Sequence, residues 1–195
     1  MNTRSSKVTK LAQTAVFAAV CYVAFTFIQI RIPVGEGATS IHIGNAFCVL
    51  AALLLGGLWG GIAGAVGMTI GDLLDPVYIL SAPKTFVLKL AIGLITGFVA
   101  HRIAKINESH DHIYIARWST ISAAAGLFFN VVADPIVGFF YKTYILGQPQ
   151  QLAAALAKMS AMTTLVNAII STVLVAVLYN AARPILIKTQ LLQLA

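Results

Sequence analysis

Charged residues are scarce in this chain of 195 residues: they make up 10% of it, and only six of them are Asp or Glu. Soluble domains carry roughly 25% charged residues. Because 59% of the residues are hydrophobic and the mean hydropathy is +0.89, a water-soluble fold would lack the polar side chains to cover its surface. The composition therefore excludes an ordinary cytoplasmic enzyme.

Cysteine is also rare, and the net charge of +7 lacks the pattern of a nucleic-acid protein. Cys21 and Cys48 both lie inside apolar stretches, where a thiol acts as a small hydrophobic group, and they form neither a disulfide framework nor a zinc spacing. The 13 Lys and Arg residues stand singly or in small groups at the ends of apolar runs, which is typical of a membrane surface.

The motifs of several enzyme classes are missing. No glycine-rich segment is followed by the Lys-Ser/Thr of a phosphate-binding loop, and there is no nucleophile elbow, zinc-protease helix or Ser/His/acid arrangement. His110 and His112 stand two residues apart in a polar segment, which is a weak metal signal, so we predict no metal site there. We expect a chain without enzymatic activity that binds no cofactor itself.

The sequence does contain six strongly apolar segments. A bilayer core of about 30 Å needs about 20 apolar residues per helix. The segments are 11–30, two within 43–74 that glycines at 56–57 and 60–61 separate, then 84–101, 118–141 and 158–182. We predict an all-α, polytopic membrane protein: one domain over residues 1–195, with six transmembrane helices in 11–182, a basic tail at 1–10 and a second tail at 183–195.

The placement of Lys and Arg predicts the orientation of this bundle. With the N-terminus in the cytoplasm, the inner side holds eight basic residues and the outer side five. The inner set is Arg4, Lys7, Lys10, Arg102, Lys105, Arg117, Arg183 and Lys188; the outer set is Arg31, Lys84, Lys89, Lys142 and Lys158. Both termini are therefore expected to be cytoplasmic.

Glycines recur three or four residues apart in the third segment, at 56, 57, 60, 61, 64, 67 and 71, and again at 93 and 97 in the fourth. Small residues at this spacing lie on one helix face and let helix backbones approach closely in lipid. We interpret these faces as packing surfaces within the monomer.

Polar residues inside the apolar segments gather near the predicted outer side. They are Asp72, Asp75, Lys84, Lys89, Asn130, Asp134 and Asn167. Since such groups cost several kcal/mol in a membrane unless paired or hydrated, we predict a polar cavity that opens outward. The alternative is that Lys89 pairs with Asp72 or Asp134 and only holds helices together. The Gly/Pro-rich segment 31–42 either covers this cavity as a lid or simply connects two helices.

Several runs resemble the S components of energy-coupling factor (ECF) vitamin transporters. These runs are 41–47 (Ile-His-Ile-Gly-Asn-Ala-Phe), the glycine-rich stretch 55–73, and 82–86 (Ala-Pro-Lys-Thr-Phe) followed by Lys89 and Gly93. The likeness is strong over residues 11 to 100 and rests on layout in the last two spans. The His-x-Gly-Asn and Pro-x-Thr-x-x-x-Lys patterns are most similar to the group assigned to pyridoxine or hydroxymethylpyrimidine.

The resemblance implies a function and a set of partners. Such a six-helix protein captures one vitamin from outside the bacterial cell membrane, then docks on a shared membrane coupling subunit bound to two ATPases, which would hold ATP and Mg²⁺. Ala15 and Ala19 match the family's Ala-xxx-Ala motif and by resemblance would contact the coupling subunit.

Together with the polar residues, the resemblance predicts the substrate-binding residues. They are His42, Asn45, Asp72, Tyr78, Lys84, Lys89, Asn130, Asp134 and Asn167, with Phe47, Tyr78 and Phe86 as walls. Two other functions compete with vitamin capture: a self-sufficient carrier in which Asp72, Asp134 or Lys89 takes up a coupling proton, and an intramembrane enzyme, which the missing catalytic motifs disfavour.

Overall fold

The computed structural model describes residues 3–189, with side chains from residue 7 onward, and it is mostly helical. Helices lie at all six predicted positions: α1 Thr3–Thr26, α2 Gly44–Leu55, α3 Gly57–Leu73, α4 Ala82–Phe98, α5 His112–Phe140 and α6 Gln150–Lys188. α3 packs against α1, α2 and α4, while α5 packs between α4 and α6.

Four helical stretches are long and apolar enough to cross a membrane. They are Lys7–Thr26, Ile79–Ile103, His112–Ile145 and Gln150–Lys188. α2 is apolar but has 12 residues, and α3 has 17. The structure thus confirms a mostly helical chain with four candidate membrane spans among the described residues. That α2 and α3 also cross the bilayer, and that both termini are cytoplasmic, stay predictions.

The prediction of a purely helical fold is wrong in one segment, because residues 29–42 form an antiparallel β-hairpin. β1 (Gln29–Val34) pairs with β2 (Gly37–His42), and Gln29 lies opposite His42. β-branched residues alternate along β1 at Ile30, Ile32 and Val34, which favours a strand, and Gly35 turns the chain with a φ of +58°. We call the side of the bundle that carries this hairpin the hairpin end.

Two helix boundaries differ from those predicted. α1 ends at Thr26 and not near residue 30, since the following residues enter β1. α6 begins at Gln150 and continues through Pro184 to Lys188, so the part of the predicted C-terminal tail that the structure describes is largely helical. Residues 190–195 of that predicted tail lie outside the described residues.

The glycines of α3 make the close helix contacts of the bundle. Gly60 and Gly64 face α2, Gly67 faces α1, and Gly57 and Gly61 face Gly97 and Gly93 of α4. A Cβ at Gly93 would lie 2.2 Å from the Cα of Gly61, so no larger residue fits at this helix spacing. The predicted role of these glycines in packing within the monomer is confirmed.

The break between α2 and α3 occurs at one glycine. Gly56 has a φ of +95°, a conformation that residues with a Cβ rarely adopt, whereas Gly60 and Gly61 continue the helix. The prediction that both glycine pairs interrupt the chain is therefore wrong for the second pair.

Cys48 of α2 packs against Gly64, and both cysteines are free thiols with no exposed surface.

The polar segment before α5 provides the N-cap of that helix. Asp111 is the N-cap, and its Oδ1 accepts a hydrogen bond of 2.8 Å from the backbone N–H of Ile113. Within residues 3–189 no group of three or more His, Cys, Asp and Glu side chains is arranged to hold a metal ion.

We predict that Gly93→Ala lowers the melting temperature in detergent, because its methyl group forces α3 and α4 apart, which costs about 1–3 kcal/mol. Gly138→Ala is the matched control: its Cβ meets only Lys84 Nζ, at 3.5 Å, so stability should hold or rise slightly through helix propensity. Equal melting temperatures for wild type and Gly93→Ala would contradict the close-contact interpretation.

Candidate substrate-binding cavity

A small polar cavity of ≈80 Å³ lies at the hairpin end, beneath β2 and between α4, α5 and α6. It is lined by seven of the nine residues predicted to bind substrate. These are His42, Asp72, Tyr78, Lys84, Lys89, Asp134 and Asn167. The expectation that polar residues from separate helices converge on one cavity agrees with this geometry.

The remaining predicted residues do not line the cavity. Asn45 and Asn130 are both 1% exposed, and each has a buried Oδ1 without a hydrogen-bond partner among the described residues. Phe47 packs against the hydrophobic core, and Phe86 is 38% exposed on the outer surface of α4. Of the three predicted aromatic walls, only Tyr78 is in place, and Phe25 of α1 supplies another.

An ion pair between α4 and α5 crosses the cavity wall. Lys84 Nζ lies 2.7 Å from Asp134 Oδ1, and the hydroxyl of Ser160 on α6 donates to Asp134 Oδ2. Both charged side chains are almost buried, so the attraction between them is little screened by water. Asp134 is thus paired with Lys84, and no ion pair between Lys89 and a carboxylate occurs among the described residues.

Lys89 lies deeper in the cavity. It follows Lys84 by five residues on α4, which is about 7.5 Å along the helix axis, and it is 7% exposed. Its ammonium group forms no ion pair with a carboxylate among the described residues, and Lys89 lines the cavity. Its backbone carbonyl accepts a hydrogen bond from Cys48 Sγ at 3.6 Å, which fixes this turn of α4 against α2.

Asp72 faces the cavity from the last turn of α3. It is 1% exposed, its Oδ2 is buried without a hydrogen-bond partner in the described part of the chain, and it faces the hydroxyl of Thr85 on α4. A buried carboxylate oxygen without a donor is unusual in a folded protein, because the loss of its hydration is not compensated. Asp72 therefore presents an acceptor that a ligand can satisfy.

The hairpin forms the roof of the cavity, and α6 holds it in place. Asn167 accepts a hydrogen bond of 2.9 Å from the backbone N–H of His42 and donates one of 3.1 Å to the carbonyl of Ser40. The hydroxyls of Thr39 and Thr163 add a contact of 2.7 Å. Asn167 was predicted as a substrate ligand, but both ends of its amide are engaged with the roof.

A second set of contacts closes the rim. Arg31 of β1 pairs with Asp75 in the loop after α3, and its guanidinium lies 5.2 Å from the ring centre of Tyr78, within cation–π range.

At the inner end of the hairpin, His42 meets the edge of Phe25 with ring centres 4.7 Å apart. Burial lowers the pKa of His42 to about 3, so its imidazole is neutral at physiological pH.

Several polar residues that line the cavity were not singled out from the sequence as ligands, among them Lys142, just after α5, and Ser160 on α6. Lys142 was counted only among the basic residues of the outer side. Lys142 lies eight residues after Asp134 on the same helical stretch, so helical periodicity places both on one face. That spacing could have identified it.

Larger cavities lie away from the hairpin end. One of ≈530 Å³ is lined by Lys10, His101, Arg102 and Lys105 among others, and one of ≈920 Å³ lies between the start of α5 and the end of α6. The ionisable side chains that line these two cavities are at least partly exposed, with the exception of Arg183. Arg183 is buried, but it donates a hydrogen bond to the carbonyl of Ile106. The polar cavity under the hairpin is therefore the better candidate for specific recognition.

Comparison with protein families agrees with this architecture. The model of the family described as ECF-type riboflavin transporter, S component, matches residues 5–184. The chain belongs to this family. It is therefore a membrane transport subunit that captures a substrate for an ECF transporter. Neither curated proteins nor solved structures gave a significant match.

We predict that Lys84→Met strongly destabilises this S component, by about 3–5 kcal/mol, because it leaves the buried Asp134 carboxylate without its cation. The double variant Lys84→Met with Asp134→Asn should recover most of the lost melting temperature, since no buried charge is then left unpaired. Lys158→Met, at an exposed position on α6, is the control and should melt like wild type. Unchanged stability of the single variant would show that the pair contributes nothing.

Proposed function

We propose that this S component captures pyridoxine or hydroxymethylpyrimidine from outside the cell and delivers it through an ATP-driven ECF complex. The observation that carries the proposal is the polar cavity under the hairpin. In the described part of the chain, Lys89 and Asp72 are buried there without an ion pair, and Asp72 has a buried carboxylate oxygen without a hydrogen-bond partner. Buried polar groups without partners favour a ligand that supplies the missing hydrogen bonds.

The size of the cavity supports a substrate with a single ring. Pockets for drug-sized ligands span about 300–1,000 Å³, whereas this cavity has ≈80 Å³. A multi-ring vitamin such as the riboflavin of the family's description would require a much larger rearrangement than a one-ring compound. Entry of one ring requires the hairpin to move outward, and the few hydrogen bonds that hold it to α6 are compatible with such a movement.

The proposed topology places the hairpin end outside a bacterial cell membrane and both termini in the cytoplasm, in a single domain whose six helices all lie in the bilayer. Basic residues at the opposite end, including Lys10, Arg102 and Lys105, support it, since positive charge collects on the cytoplasmic side. Substrate would then enter from outside and leave inward after reorientation of the chain in its complex.

The partners proposed are a shared membrane coupling subunit and two ATPases, which would hold ATP and Mg²⁺. Ala15 and Ala19 are exposed on α1, whereas Ala18 lies against Gly67 of α3. A small-residue face that no helix of the described chain covers supports close approach by a partner helix.

We expect Ala15→Leu and Ala19→Leu to bind vitamin as wild type does and to lose transport in the complete complex, because a bulky side chain keeps the partner helix at a distance. Ala155→Leu, an equally exposed alanine on α6, should retain both binding and transport. Loss of vitamin binding in the α1 variants would assign that face to packing inside the monomer.

The proposed function is tested with the purified chain in lipid vesicles. We expect binding of pyridoxine or hydroxymethylpyrimidine without accumulation, and ATP-dependent uptake only after the coupling subunit and ATPases are added. Radiolabelled vitamin separates the two steps. Accumulation by the chain alone, driven by a proton gradient, would instead indicate a secondary carrier.

A further inference from the structure

The cavity under the hairpin carries an excess of positive charge. Three lysines line it, Lys84, Lys89 and Lys142, against two carboxylates, Asp72 and Asp134. Lys84 and Asp134 neutralise each other at 2.7 Å, so two lysines remain against Asp72. Arg31 and Asp75 on the rim also cancel, and the imidazole of His42 is neutral.

Lys89 is the buried lysine of this set whose charge no ion pair compensates among the described residues. Lys89 is 7% exposed, and Asp134 and Asp72 lie within electrostatic range of it without forming an ion pair with it among the described residues. An ammonium group that is largely removed from water without an ion pair is unfavourable. An anionic oxygen placed in the cavity would supply the charge-assisted hydrogen bond that the chain does not.

Asp72 requires a hydrogen-bond donor, whereas Lys89 requires an acceptor. The Oδ2 of Asp72 is buried without a hydrogen-bond partner among the described residues, while the hydroxyl of Thr85 lies beside the carboxylate. A ligand N–H or O–H would satisfy it. In the described part of the chain, the cavity therefore offers a cation and an anion, neither of them in an ion pair, to one small molecule.

We propose that the cavity recognises its ligand as a zwitterion, with an anionic ring oxygen on Lys89 and a ring N–H that donates to Asp72. This inference rests on the proposed function and selects between its two substrates. A 3-hydroxypyridine such as pyridoxine forms this zwitterion when its hydroxyl proton moves to the ring nitrogen. Hydroxymethylpyrimidine has no acidic ring hydroxyl and offers no anionic oxygen to Lys89.

The test compares pyridoxine with 3-deoxypyridoxine by titration calorimetry on the full chain in detergent. The deoxy compound lacks the ring hydroxyl, so it supplies neither the anionic oxygen nor the proton that moves to the ring nitrogen. Wild type should bind pyridoxine more tightly by about 10- to 100-fold or more, the range for one or more charge-assisted hydrogen bonds. Lys89→Met should weaken pyridoxine by about 10- to 100-fold and leave 3-deoxypyridoxine within about threefold, which removes most of the discrimination. Lys158→Met, exposed and outside the cavity, should keep it.

Asp72→Asn tests the other contact, because it keeps the shape of the side chain and removes its charge. We expect it to weaken pyridoxine by about tenfold, since a hydrogen bond between two charged groups becomes one to a neutral acceptor. Melting curves of each variant without ligand separate a binding effect from misfolding. If Lys89→Met does not fold, the two-ligand comparison on wild type still decides.

Equal affinity of wild type for pyridoxine and 3-deoxypyridoxine would overturn the zwitterion assignment. So would tighter binding of hydroxymethylpyrimidine than of pyridoxine, although the proposed function would then stand. An equal loss of both pyridines in Lys89→Met would also overturn it, because the lysine would then act on the cavity as a whole. Failure of wild type to bind any of the three compounds would overturn the proposed function and this inference with it.

Discussion

One ion pair holds the polar end of this bundle together. Lys84 on α4 meets Asp134 on α5, and Ser160 on α6 donates to the same carboxylate. These polar contacts join three helices. Apolar side chains at the same point would fill the space and leave no polar groups for a ligand. Because each charge is buried, the helices cannot separate there without exposing one charge to an apolar environment. The floor and walls of the cavity depend on that constraint.

The rest of the bundle is held by a different kind of contact. Below the cavity, Gly57 and Gly61 of α3 lie against Gly97 and Gly93 of α4 with almost no space between the backbones. Such contacts leave no space for a side chain between the two helices. The chain therefore divides into a half packed through small residues and a polar half made of charged pairs and hydrogen bonds, and the proposed substrate site lies in the second.

Much of this architecture could be predicted from the sequence, because apolar segments and glycine spacing act locally. The positions of the helices, the packing role of the glycines and the gathering of Asp72, Lys84, Lys89 and Asp134 at one end followed from periodicity and charge. The sequence could not show whether Lys84 or Lys89 is the partner of Asp134, because two long side chains five residues apart on one helix reach overlapping regions.

The hairpin could not be predicted for a related reason. Its turn glycines, Gly35 and Gly37, and its polar β2 strand are equally typical of a loop, and the strands form against α6, where Leu152 and Leu156 pack on those glycines. The hydrogen bonds of Asn167 to the hairpin could not be predicted either, because its partners are backbone atoms, which no residue pattern reveals.

The burial of both thiols has a practical consequence for measuring how the roof moves. Cys21 and Cys48, the two cysteines of the chain, have no exposed surface. A cysteine introduced at the exposed hairpin tip, at Glu36, would therefore be the accessible thiol of an otherwise native protein. A spin label or fluorophore could be attached there without first removing native cysteines, and its distance to a second label on α6 would report opening in real time.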